Sequence, residues 1–197
     1  MKKVLLFLCI FIPKIQAQNV DASLFGIHKI YQKTTNVLSW TTYTKEKFSL
    51  QLRTNFDAPN TVAIVPGRIF TFGKILFVPE CGVLFGDYKS ISPEFYAVIP
   101  VSNKWSMFLF GQYSVGILKS NSFMYSYVQG LYQIKNIKVG VGAQYFKSTS
   151  DNSTYFLDVG PQIKYTFTKT MYLKPWYTFD PLNNWRQKAM LGFGFFF

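Results

Sequence analysis

Strict alternation of apolar with polar or small residues runs through almost the whole chain after residue 20. Within residues 105–118, Trp105 and Leu109 share one face, while Ser106 and Gln112 share the other. Successive side chains of a β-strand point to opposite faces, so this period predicts strands with one apolar face. No amphipathic helix is indicated, and the chain is predicted to be all-β. The same alternation covers residues 137–146 and 155–167.

Turn residues divide this pattern into about twelve candidate strands, with ten as the alternative count. Connections after even-numbered strands are short and basic, such as Gly73 with Lys74, whereas most of those after odd-numbered strands are longer and polar. Such alternation is typical of an up-and-down antiparallel barrel with its short turns on one side and its long loops on the other. The candidate strands are 22–32, 35–44, 47–56, 62–72, 75–87, 91–101, 105–118, 122–134, 137–147, 154–168, 171–180 and 186–197.

The first 17 residues predict a cleaved secretory signal peptide. Lys2 and Lys3 form a basic start, residues 4–12 are apolar, and Ala17 supplies a small residue at the cleavage site. The apolar run is too short to cross a bilayer as a helix, which needs about 20 residues. Residues 18–197 are therefore expected to form one exported barrel domain.

The composition of the strands indicates lipid rather than water outside the barrel. Aromatic residues make up 19% of the chain and charged residues only 15%. A secreted sandwich or lipocalin-like barrel would turn a charged face to water, but these strands are poor in charge on both faces. Aromatic residues gather at strand ends, as in the girdles of membrane barrels. These residues are Tyr31, Tyr43, Phe56, Phe72, Tyr88, Trp105, Tyr145, Tyr155 and Tyr172.

The last strand carries a recognisable pattern. Phe197 is the final residue, apolar residues alternate behind it, and Gly192 and Phe195 complete the match, although Met190 stands where a polar residue is preferred. This strand resembles the C-terminal strand by which bacterial outer-membrane proteins are recognised by their assembly machinery. The resemblance implies a small outer-membrane β-barrel of a Gram-negative bacterium. Its expected partners are the assembly machinery, outer-membrane lipids and lipopolysaccharide.

No catalytic motif is visible. Barrel lipases and proteases use a histidine beside a serine or several acidic groups, but no motif links His28, the only histidine, with Ser23 or Ser39. The acidic residues are scattered singly, and no phosphate loop, metal-ligand spacing or dinucleotide fingerprint occurs. We therefore expect no enzymatic activity, no cofactor, no metal and no nucleic-acid partner. A barrel hydrolase using His28 is the minor alternative.

The polar face of each strand predicts the lining of the lumen. Turn positions place Arg68 opposite Glu80 and bring Lys138, Lys164 and Lys174 together toward the short-turn mouth, without an acidic partner. Unpaired like charges need water, so this lysine cluster predicts a hydrated lumen. The predicted lining residues are Arg53, Arg68, Glu80, Glu94, Lys138, Asp158, Lys164, Lys174 and Lys188.

Three functions are compatible with this lining. The first is a narrow passive pore for small anionic or polar solutes, similar in architecture to the twelve-stranded acidic-oligosaccharide porins. The second is a non-conducting structural or partner-binding barrel, and the third is a lipid-modifying or proteolytic barrel enzyme. Twelve strands lie between a packed eight-stranded barrel and a sixteen-stranded channel. Whether the lumen is open, as in a pore, or closed, as in a non-conducting barrel, therefore depends on the aromatic residues that face inward. These are Phe108, Phe110, Phe146, Phe156, Trp176 and Phe196.

Overall fold

The computed structural model describes residues 19–56, 59–117, 121–149 and 155–196. The predicted signal peptide and Phe197 lie outside the described residues. Among the residues described, no helix is long and apolar enough to cross a membrane.

Thirteen strand segments make up the described structure. They are β1 Asn19–Lys29, β2 Thr34–Lys45, β3 Phe48–Thr54, β4 Thr61–Arg68, β5 Phe70–Phe72, β6 Ile75–Gly86, β7 Ser90–Pro100, β8 Trp105–Gly116, β9 Phe123–Ile134, β10 Ile137–Ser148, β11 Tyr155–Thr168, β12 Met171–Asp180 and β13 Arg186–Phe196.

Neighbouring strands pair antiparallel around a closed barrel. β1 pairs with β13, so the first and last strands have no free edge, which removes the unpaired backbone groups that lipid would penalise. β4 and β5 both pair with β6 and together form one spanning strand that is interrupted at Ile69. The prediction of an all-β, up-and-down barrel of twelve strands is confirmed, and the alternative of ten strands is wrong.

The two ends of the barrel differ in the length of their connections. One end, here called the short-turn end, carries residues 46–47, 73–74, 101–104, 135–136 and 169–170. The opposite, long-loop end carries the described residues 30–33, 55–56, 59–60, 87–89, 117, 121–122, 149 and 181–185. β1 begins and β13 ends at the short-turn end. The predicted alternation of short and longer connections holds for most of the barrel, although the connection at 87–89 is shorter than the one at 101–104.

The barrel is apolar outside and largely polar inside. Large apolar side chains face outward, such as Phe85, which is 46% exposed, and Leu191, which is 53% exposed. Buried polar groups face the interior, among them Gln51, Ser92 and Gln162. This inversion of the usual distribution is stable only where the outer surface contacts lipid. The structure therefore agrees with the lipid-facing coat that the sequence predicts, with three exceptions among the predicted girdle residues. Phe56 and Tyr172 line the interior cavity, and Tyr88 packs against a buried cluster inside the barrel.

Candidate functional site in the barrel interior

The strand faces bring eight of the nine predicted lining residues to the interior. Arg68 is the exception. In β4, Thr61, Ala63 and Val65 are buried, whereas Arg68 lies on the opposite, exposed face. These eight residues are Arg53, Glu80, Glu94, Lys138, Asp158, Lys164, Lys174 and Lys188.

The predicted pairing of Arg68 with Glu80 is wrong. The strand register sets Gly67, not Arg68, opposite Glu80, and a shift of one residue turns a side chain to the other face. The Arg68 guanidinium carbon lies 5.7 Å from the centre of the Phe70 ring. Because Arg68 ends its strand segment near the short-turn end, its long side chain can reach water from the outer face.

Glu80 is satisfied by neutral donors instead. Its carboxylate accepts hydrogen bonds from Gln51 Nε2 at 2.6 Å and from Ser49 Oγ at 3.1 Å. Glu94 stands opposite Glu80 in the register of β6 and β7. Glu94 pairs with Arg53 across the lumen: Nη1 lies 2.8 Å from Oε2, and Nη2 lies 3.2 Å from Oε1. Both side chains of this ion pair are fully buried. Buried charges are stable only when they are paired with good geometry, and the two parallel hydrogen bonds provide it.

A second ion pair joins β11 to β13 in the same, long-loop half of the interior. Lys188 Nζ donates to Asp158 Oδ2 at 2.6 Å. Gln144 Nε2 donates to the same oxygen at 2.7 Å. Lys188 Nζ also lies 4.1 Å from the centre of the Phe156 ring. The charges of this half are therefore held by direct partners.

Four aromatic rings are in contact with one another inside the lumen, and we call them the aromatic bridge: Trp40, Phe56, Phe110 and Tyr125. Trp40 lies on β2 and Phe110 on β8, which are separated by five positions in the ring of twelve spanning strands. Their ring centres are nevertheless only 5.5 Å apart. Phe56 lies 4.8 Å from Trp40 and 5.7 Å from Tyr125. Side chains from nearly opposite walls therefore meet inside the lumen.

A cavity of about 560 Å³ extends from the aromatic bridge through the short-turn half. Lys138, Lys164 and Lys174 lie on its wall. Lys138 is paired with Lys164 in the register. The register pairs that flank them, Gln162 with Trp176 and Tyr165 with Leu173, set Lys164 beside Lys174. The structure thus brings the three lysines of the predicted cluster together; that they line a conducting pore stays a prediction.

Neutral groups surround two of these lysines. Lys174 Nζ donates to Gln129 Oε1 at 3.0 Å and approaches the Tyr127 hydroxyl at 3.4 Å. Lys164 Nζ lies 3.6 Å from the centre of the Tyr172 ring, within the range of a cation–π interaction. Within the described part of the chain, none of the three lysines forms an ion pair with a carboxylate at 4 Å or less.

One carboxylate at the cavity, that of Asp21, is not among the predicted lining residues. Asp21 lines the cavity, accepts a hydrogen bond from the Tyr172 hydroxyl at 3.3 Å, and is close enough to Lys164 and Lys174 to interact with them electrostatically. Barrel closure provides the signal that could have found it. Pairing of β1 with β13 sets Asp21 opposite Phe196, on the inner face.

The catalytic candidate His28 lies away from this cavity. His28 is exposed on the outer face, and its Nδ1 lies 2.9 Å from Thr35 Oγ1. Ser23 is on the opposite face of the same strand and lines the cavity, so His28 and Ser23 do not form a catalytic pair. Across the residues that the structure describes, no group of three metal-ligating side chains is found.

The described part of the C-terminal pattern lies in β13. Gly192 faces inward, and a Cβ atom there would come within 2.5 Å of Phe25 Cε1. Phe195 packs edge-on against Phe193, with ring centres 4.7 Å apart. Their role in assembly is not tested by this geometry and stays a prediction.

No protein-family model matches the sequence, and no curated protein matches it. Similarity appears among solved structures. The KdgM porin in complex with disordered oligogalacturonate has a TM-score of 0.64 at 12% identity, covering 90% of this chain and 98% of the porin. The NanC porin has a TM-score of 0.64 at 9% identity, covering 89% and 98%.

A third structure extends the comparison to another kind of channel. An outer-membrane channel from Pseudomonas putida F1 has a TM-score of 0.59 at 9% identity, covering 94% of this chain and 99% of the channel. At such identities the likeness is one of fold. This chain therefore has the fold of small outer-membrane porins and channels, as the resemblance in its last strand implies.

Proposed function

We propose that the protein is a passive pore of the bacterial outer membrane that admits small anionic or polar solutes through a narrow, basic lumen. The observation that carries this proposal is the cavity in the short-turn half, whose wall holds Lys138, Lys164 and Lys174 against the single carboxylate of Asp21. Excess positive charge in a confined, hydrated space lowers the energy of anions relative to cations. Anions are thus the preferred solutes.

Two further observations support this assignment. The outer surface is apolar around the whole barrel, as a bilayer location requires. Similar folds occur in proteins described as porins and channels, one of which was determined in complex with oligogalacturonate, an anionic sugar polymer.

The proposal includes a route to the membrane. The signal peptide is removed after Ala17, and the assembly machinery recognises the final strand through Gly192, Phe195 and Phe197. The folded barrel then contacts outer-membrane lipids and lipopolysaccharide. Sequencing the N-terminus of protein extracted from outer membranes tests the cleavage, and replacing Phe197 by Ser tests the recognition through the yield of folded barrel.

Planar-bilayer recording tests the pore directly. The purified barrel is expected to give discrete conductance events with an anion-to-cation permeability ratio above one. The triple variant Lys138→Met, Lys164→Met and Lys174→Met is expected to lower that ratio, because the positive wall is removed. Lys33→Met, which removes a lysine from the connection at residues 30–33, is the matched control. A ratio below one in the native protein overturns the charge argument.

A specific observation favours a second candidate, the non-conducting barrel. The aromatic bridge joins nearly opposite walls, with Trp40 and Phe110 in ring contact. A lumen sealed by these rings would bind partners or stabilise the membrane without passing ions. The absence of conductance in the native protein, with events in the double variant Trp40→Ala and Phe110→Ala, would establish this function and exclude the pore.

A further inference from the structure

The cavity changes character along its length. Its charged lining consists of Asp21, Lys138, Lys164 and Lys174. Lys138 is the second residue of β10 after the short turn, and Lys174 is the fourth residue of β12. Charge is therefore concentrated toward the short-turn end. Since one aspartate faces three lysines, the formal charge of the lining is positive, and an anionic group would compensate it.

The deeper part of the cavity is mainly apolar and aromatic. Its wall includes Phe25, Leu38 and Met190, and the aromatic bridge lies at its inner end. The amides of Gln144 and Gln162 also line it, but each is already hydrogen-bonded to another side chain. Trp176 also lines it, with its indole N–H already donated to the Gly160 carbonyl at 3.1 Å. A hydrophilic solute held against this wall would lose hydrogen bonds to water without replacement, whereas an alkyl chain would gain by leaving water.

We infer that this cavity is a binding site for amphipathic carboxylates, with the anionic head among the three lysines and the alkyl tail directed toward the aromatic bridge. This inference rests on the proposed function in one respect, because it narrows the anionic solutes to those with an apolar tail. A volume of about 560 Å³ lies within the range of cavities that enclose a small organic ligand.

The positions of Trp40 and Trp176 allow the tail to be located. Both indoles line the cavity, whereas Trp105 and Trp185 are exposed. In a protein carrying Trp105→Phe and Trp185→Phe, reconstituted in phosphatidylcholine vesicles, only the two cavity indoles emit. Bromine at the far end of an alkyl chain quenches an indole that it touches, and probe dissolved in the bilayer cannot touch indoles inside the barrel.

The probe is ω-bromodecanoate, compared with ω-bromodecanol, which has the same tail without charge, and with acetate, which has the charge without the tail and is measured by displacement of ω-bromodecanoate. Saturable binding of ω-bromodecanoate is expected at concentrations about tenfold lower than those of either comparator, a difference of about 1.4 kcal/mol. Equal midpoints for ω-bromodecanoate and acetate would instead reveal a site for hydrophilic anions. Equal midpoints for ω-bromodecanoate and ω-bromodecanol would reveal a site without head recognition. Absence of saturable quenching overturns the inference outright.

Variants test the contribution of the lysines. Lys164→Met and Lys174→Met, made singly and together, are expected to raise the quenching midpoint, by about tenfold for the pair. Lys164→Arg is expected to retain binding because it keeps the charge. Lys33→Met and Lys135→Met, which lie in connections at opposite ends, are the matched controls and are expected to leave the midpoint unchanged. Unchanged midpoints in the cavity variants would contradict the inference.

Conductance of the same preparations separates the two hypotheses. Discrete events without saturable quenching would leave the pore standing and remove the amphipathic ligand. Saturable, lysine-dependent quenching without conductance would leave the binding site standing in a closed barrel.

Discussion

The two halves of the barrel interior accommodate charge in different ways. In the long-loop half, Arg53 pairs with Glu94 and Lys188 pairs with Asp158, and the side chains of all four are buried or nearly so. In the short-turn half, the lysine cluster meets an amide, aromatic rings and one nearby carboxylate around a cavity. Charges packed without water need direct partners, whereas charges beside a water-filled space do not.

This difference indicates that the two halves of the lumen have different roles. The paired half fixes the barrel walls to each other, since Arg53 on β3 reaches Glu94 on β7. The half with the cavity leaves positive charge available to a solute. Changes in the first half should therefore act on stability, and changes in the second on the solute.

The largest effect is expected for Arg53→Met. This change removes the guanidinium that pairs with the buried carboxylate of Glu94, which lies opposite Glu80 in the register, and breaking a buried pair on one side costs about 3–5 kcal/mol. We expect the free energy of unfolding in phospholipid vesicles, measured by guanidinium titration, to fall by that amount.

Two variants sharpen this measurement. Lys164→Met, in the half with the cavity, is expected to change the free energy of unfolding by less than about 1 kcal/mol, because the native lysine there has no ion pair to lose. The double variant Arg53→Met and Glu94→Met is expected to recover most of the stability, as replacement of a whole buried pair often does. Equal losses for Arg53→Met and Lys164→Met would erase the distinction between the halves.

The boundary between the halves is tested by Trp40→Ala. Its indole contacts Phe56 and Phe110 in the aromatic bridge. Because this ring is only partly buried, we expect a stability loss of about 2–3 kcal/mol, at or below the usual cost of truncating a core aromatic. Single-channel conductance is expected to rise, since the rings from opposite walls no longer meet. Trp185→Ala, in a loop, is the control, and unchanged conductance in Trp40→Ala would place the constriction elsewhere.

The alternation in the sequence was sufficient to predict the barrel. Strands such as β8, β10 and β11 alternate cleanly, so their limits and faces could be predicted within a few residues. The fourth spanning strand could not, because both its faces are mixed. There, Ala63 and Val65 occupy the inner face beside Leu84, and Arg68 reaches the exterior. The assumption that the polar face of a strand is the inner one fails here. The inner face carries small apolar residues, and the charged residue lies at the strand end, where it reaches the exterior.

The contacts inside the barrel could be predicted where they lie between neighbouring strands. The prediction that Lys174 lies beside Lys164 was correct because a short turn fixes the register of the two strands it joins. Lys138 was placed opposite Lys164 from the centre of the longer connection between β10 and β11, and the register agrees. The contacts across the lumen could not be obtained in this way. Arg53 with Glu94, and Trp40 with Phe110, join strands that are not neighbours, so their proximity depends on how the closed barrel brings its walls together.

A smaller effect is expected from charge reversal in the half with the cavity. Lys164→Glu replaces an attraction for anions by a repulsion, each about 1 kcal/mol for unit charges 4 Å apart in water, so the energy of an anion there rises by about 2 kcal/mol. The anion-to-cation permeability ratio, measured from reversal potentials in a salt gradient, is expected to fall by at least about tenfold. Lys33→Glu makes the same change of charge in an exposed connection and is expected to leave the ratio nearly constant. A fall of similar size in both variants would assign selectivity to surface charge.

The smallest effect concerns salt, and it addresses both halves in one experiment. Raising the ionic strength from about 0.1 M to 1 M shortens the screening length from about 10 Å to 3 Å. The lysine cluster borders a cavity that salt can enter, so its charge is screened at high salt. The anion-to-cation permeability ratio is therefore expected to fall toward its value in free solution, by a factor of about three or less. Arg53 and Glu94 are fully buried and are screened much less, so the free energy of unfolding is expected to change by less than about 0.5 kcal/mol. A larger loss of stability at high salt would mean that water and ions reach this pair, and the two halves would then differ only in degree.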